Sequence, residues 1–80
     1  MEKKSYFNVT GDELLKKIKE LIHEGNVNRI IIKNEEGQTY LEIPVTIGLI
    51  GAIIAPILAA VGALAALVAR FKIEVIRKED

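Results

Sequence analysis

The run VTIGLIGAIIAPILAAVGALAALVA, Val45 to Ala69, is 25 residues long and carries no charge. As one straight helix it would be ~37 Å long at 1.5 Å per residue. A hydrocarbon core is ~30 Å thick, so length and hydropathy alone favour a membrane span.

Three features oppose a simple span. Strand-like patterns abut both ends: QTYLEIP leads in and FKIEVIR leads out. A span would put these strands on opposite sides of a bilayer, leaving Phe71, Ile73 and Val75 exposed on a strand with no sheet to join. No Trp or Tyr lies within the run, so an aromatic belt is weak. Pro56 sits near the middle, where proline removes a helix hydrogen bond and kinks or breaks the helix. As the first residue of a second helix it is well placed. The expectation is a helical segment broken or kinked at Pro56; a turn near Ala55 would give two shorter helices, roughly 46–54 and 56–69, starting and finishing at one sheet.

The rest of the chain supplies that sheet. Tyr6 to Val9 reads as a short strand. Thr10, with Glu13 three residues later, forms a capping-box pattern, and Asp12 and Glu13 suit the positive end of a helix dipole. Leu14, Leu15, Ile18, Leu21 and Ile22 share one face of a helix over 11–24. Glu13 with Lys17, and Lys16 with Glu20, have i,i+4 spacing, and Gly25 suits a left-handed cap. The run NVNRIIIKN, the turn NEEG with Gly37 free to take positive φ, and QTYLEIP form a hairpin over 28–43. Thr39, Leu41 and Ile43 point one way, Tyr40 and Glu42 the other. Phe71, Ile73 and Val75 alternate with Lys72 and Glu74 in a last strand over 71–77. The expected fold is a single α+β domain, β-α-β-β-α(α)-β, with a four-stranded, mostly antiparallel sheet.

Eighty residues bury only about 60% of their unfolded surface, so such a core is marginal without reinforcement. There is no cysteine to provide a disulfide or thiolate site, which also fits a reducing cytosol. Oligomerisation and a membrane remain. Small residues recur every fourth position in two rows, Gly48, Ala52, Pro56 and Ala60, and Gly51, Ala55, Ala59 and Ala63; Gly62 and Ala66 repeat the spacing. On a helix these rows form flat ridges that allow close approach. An all-apolar helix needs covering all round, and the Leu14–Ile22 helix and one sheet face cannot do it. The surplus surface calls for another copy, another protein or lipid.

Chemistry-bearing constellations are missing from the sequence. His23 stands alone, without Cys or paired carboxylates at ligand spacing. Glu35 and Glu36 lack the alternating oxygens of a calcium loop. Ser5 and Thr10 have no base in context. GLIGAIIA lacks the Lys-Ser/Thr end of a phosphate loop. Formal net charge is zero, and Lys16, Lys17 and Lys19 are balanced by acids on their own helix without interleaved aromatics. The expectation is no enzyme, no cofactor, no metal, no small-molecule substrate and no nucleic acid.

EGNVNRIIIKNEEG, LEIPVTIG, APILAAVGALAAL and FKIEV carry a resemblance across residues 7–76. The chain resembles the small bacterial family known as domain of unknown function 4342. The resemblance implies no catalytic residues. A ubiquitin-associated-like module found in some relatives has no counterpart in these residues, so its binding role does not carry over.

The residues therefore point to a cytoplasmic, non-enzymatic domain that assembles through Gly48, Gly51, Ala52, Ala55, Pro56, Ala59, Ala60, Gly62, Ala63 and Ala66. Insertion of residues 45–69 in a bilayer is the competing reading.

Overall fold

A computed structural model describes residues 2–45 and 51–78. Six elements follow in the order β1 (Glu2–Thr10), α1 (Gly11–His23), β2 (Val27–Lys33), β3 (Thr39–Pro44), α2 (Gly51–Leu67) and β4 (Arg70–Lys78). This is the expected α+β order, with the first and last strands longer than their apolar patterns. The four strands lie in the order β1-β4-β2-β3, and every neighbouring pair is antiparallel.

This order links distant parts of the chain. The last strand lies between the first and second, so β1 and β2 run parallel with β4 between them, and α1 crosses over it. Likewise β3 and β4 run parallel with β2 between them, and the connection carrying α2 crosses over. The two crossovers interlock.

Strand alternation sorts the side chains to two faces. Val9, Ile30, Ile32, Ile43, Phe71, Ile73 and Val75 are buried on the face under the helices. Leu14, Ile18, Leu21 and Ile22 from α1 complete the core, with Val61 from α2. Among the described residues no helix lies on the other face of the sheet. Its rungs follow the register: Asn8, Lys72 and Lys33; then Tyr6, Glu74, Ile31 and Glu42; then Lys4, Ile76, Arg29 and Pro44. Lys33 pairs with the buried Glu74 at 3.6 Å, and Arg29 with Glu42 at 2.8 Å.

Local signals end the elements as their chemistry requires. The Thr10 hydroxyl and backbone N–H both donate to Glu13 Oε1, at 2.9 and 3.2 Å, fixing the start of α1. Gly25 takes φ 83° behind α1, the left-handed conformation a helix stop favours. In the hairpin turn Asn34 Oδ1 accepts from the backbone of Glu36 and Gln38, at 2.9 and 2.8 Å, while Gly37 takes φ 91°. Simple alternation fails once in β3. A register shift at Ile32/Lys33 leaves Tyr40 unpaired, and its ring meets Phe71 edge-on at 5.9 Å.

Pro56 does not break the helix. α2 runs unbroken from Gly51 to Leu67 with Pro56 inside it, rather than as two helices meeting at Ala55. The proline is exposed. On the solvent side of a helix carbonyls tilt outward and hydrogen bonds lengthen, so a missing N–H there is tolerated. The expected first helix begins in residues 46–50, which lie outside the described residues.

Candidate functional site

α2 is charge-free along its whole length. A helix of this composition covers a core with any face, so its neighbours decide which side is buried. Val61 is fully buried, and Ile57, Leu58, Leu64, Ala65 and Val68 are partly buried against the core. Among the described residues, the opposite side is turned away from the core. Ala55, Pro56, Ala59, Ala60, Ala63 and Ala66 are exposed there, and Leu67 is 83% exposed.

The expected association residues divide accordingly. Ala55, Pro56, Ala59, Ala60, Ala63 and Ala66 come together on the outer side of α2. Gly62 is half-buried, and a Cβ built on it would meet no atom within 4 Å. Gly51 and Ala52 lie in the first turn of the helix. Gly48 lies outside the described residues.

What orients this face is a junction that the sequence reading missed. Gly11 N–H donates to the Ala69 carbonyl at 2.9 Å, tying the start of α1 to the chain just past α2. A Cβ on Gly11 would stand 2.6 Å from the Ala65 carbonyl oxygen and 3.0 Å from that of Val68. Only glycine permits this approach. The positive end of one helix dipole thereby meets the negative end of the other. The only advance signal was a glycine at the first helical position, where capping alone does not demand one.

Polar groups elsewhere form structural contacts. At the far end of α1, Arg77 donates to Ser5 Oγ at 2.6 Å and to both Glu24 oxygens at 3.0 and 3.2 Å. Its guanidinium carbon lies 5.9 Å from the Phe7 ring centroid, and Lys17 Nζ lies 5.0 Å from the same ring. Lys17 pairs with Glu20 at 3.4 Å, an i,i+3 contact. The Glu13 carboxylate serves the cap instead of the expected pairing with Lys17. Those cap bonds, first from the Thr10 hydroxyl and then from its N–H, hold the Glu13 carboxyl below the usual carboxylate range. His23 is exposed in the last turn of α1. Among the described residues no three His, Asp or Glu side chains gather as a metal would require.

Among the described residues no helix is long and apolar enough to cross a membrane. No curated protein and no solved structure matches the chain. A family profile described as Domain of unknown function (DUF4342) does match, over residues 1–77. Nearly the whole length is covered, including the capped helix, the hairpin, the apolar helix and the closing strand, and the chain belongs to that family.

Proposed function

We propose that this protein is a non-enzymatic structural or interaction domain that self-associates by packing the outer side of α2 against the same side of a second copy. The exposed, charge-free side of α2 carries the reading. Its occupant must be apolar and must tolerate close backbone approach, because alanine dominates the face. A second α2 has both properties, and one patch meeting itself closes a two-fold dimer. Zero net charge offers no long-range repulsion between copies. Burying a few hundred Å² of apolar surface per contact contributes several kcal/mol at about 25 cal/mol per Å², before the cost of association.

Insertion of residues 45–69 into a bilayer is the competing reading. Both strands flanking α2 belong to one sheet, which opposes a crossing. Sedimentation of the purified chain without detergent, across a range of concentrations, tests the choice. The expected result is a species heavier than one chain that the exposed-site substitution Ala59→Glu converts to monomer. A monomeric wild-type protein, or an unchanged oligomer in Ala59→Glu, overturns the reading. Recovery of the protein only from detergent-extracted membranes moves the assignment to the bilayer.

A further inference from the structure

The face of the sheet turned away from the helices has a composition that net charge conceals. The absence of a nucleic-acid partner was expected from a zero total and from the balanced lysines of α1. Strand alternation instead gathers cations on one surface. Arg29 and Lys33 are occupied by Glu42 and Glu74. Lys4, Arg70 and Lys72 are exposed and form no ion pair among the described residues.

These three cations lie along the paired strands β1 and β4. Arg70 and Lys72 are two residues apart on β4, or about 7 Å along an antiparallel strand. Tyr6 pairs with Glu74, one rung further, and Lys4 pairs with Ile76, one rung beyond that. The track thus reads cation, cation, aromatic ring, cation over roughly 20 Å. Tyr6 is 66% exposed, so its ring is accessible. The neighbouring apolar groups do not protrude: Ile76 is buried and Ile31 is half-buried. Beside Arg70 and Lys72 an open cleft of about 350 Å³ is also lined by Asn8, Phe71 and Glu35.

We infer that this face binds single-stranded nucleic acid, with phosphates on Lys4, Arg70 and Lys72 and a base stacked on Tyr6. Unpaired cations complement a phosphate backbone. An exposed ring on a sheet finds a partner in an unstacked base and none on the outside of a duplex. Glu74 is the buried cross-strand partner of Tyr6, so its carboxylate shares the rung where a base rather than a phosphate sits. A membrane surface fits less well, because the aliphatic side chains beside the track, Ile31 and Ile76, do not protrude to enter lipid.

Fluorescence anisotropy of the full chain with labelled 20-nucleotide oligouridylate and oligothymidylate tests the inference. Saturable binding at low salt is expected, with a log–log salt slope of about −2 for three phosphate contacts at ~0.7 each. Tyr6→Ala is expected to weaken binding roughly 5- to 100-fold, while Tyr6→Phe, which keeps the ring, retains it. Lys72→Ala is expected to reduce the salt slope, and Arg70→Glu with Lys72→Glu to abolish binding while the melting curve stays intact. Three results overturn the inference: no saturable binding by the wild-type chain at 50 mM salt; equal binding in Tyr6→Ala; or equal loss in Tyr6→Phe. Binding to phosphatidylglycerol vesicles that outcompetes the oligonucleotides assigns the face to lipid and overturns it as well.

Discussion

At the scale of single residues, Glu13 shows how a small cap produces a pH dependence. Its carboxylate accepts two hydrogen bonds from Thr10, so the folded carboxyl titrates below its unfolded value. The charge therefore contributes stability that is fully present above the ordinary carboxylate range. That contribution disappears as pH falls through the lowered folded value. Replacing Glu13 by Gln keeps an acceptor and removes the charge. Melting temperatures followed from pH 7 to pH 3 should show Glu13→Gln below wild type at neutral pH, with the gap closing in acid. A gap that stays constant with pH would separate the cap from the charge. Tyr6 shifts the other way: the adjacent Glu74 carboxylate, through a hydrogen bond and its charge, raises the phenol above its ordinary value.

At the scale of elements, two glycines with the same backbone freedom have opposite structural meaning. Gly11 lies against the carbonyls of Ala65 and Val68, backbone atoms that cannot swing aside. Gly62 lies inside α2 with open space where its Cβ would be. Gly11→Ala should therefore destabilise the fold by about 1–3 kcal/mol through overpacking. Gly62→Ala should stabilise it by about 0.5–1 kcal/mol through helix propensity. Urea unfolding of both variants in the Ala59→Glu background measures this contrast, and equal signs would refute it.

The same elements show what a sequence can and cannot reveal. The capped helix, the Gly37 turn and the alternation of Phe71, Ile73 and Val75 are local patterns, and all three were readable. The Gly11 junction was not, because its partners lie more than fifty positions away. Nor was the Tyr40 bulge, which depends on register between strands. Whether Pro56 breaks the helix or leaves it continuous was not readable, because helix-breaking depends on which side faces water. For the proposed association surface, the Gly/Ala rows were plain in the sequence. Which of their sides would face outward depended on Val61 entering the core.

At the scale of the whole molecule, β4 is the strand on which the sheet depends. It pairs with β1 from Glu2–Lys78 to Thr10–Arg70 and with β2 along its other edge. Without it, β1 has no neighbour and α1 loses much of the surface it covers. A chain ended at Ala69 should show no cooperative thermal transition by circular dichroism, whereas the 80-residue chain should melt in one step. A cooperative melt in the shortened chain would place the stability elsewhere. Pairing of such distant segments also slows folding, because loop closure precedes the contacts that reward it.

The central position of the last strand has a further consequence during synthesis. A ribosome releases α2 before Arg70–Lys78 has emerged. Throughout that interval the helix has α1 to pack on but lacks the completed sheet, so its inner face is only partly covered. The nascent chain therefore passes through a stage that offers chaperones and neighbouring nascent chains a fully apolar helix.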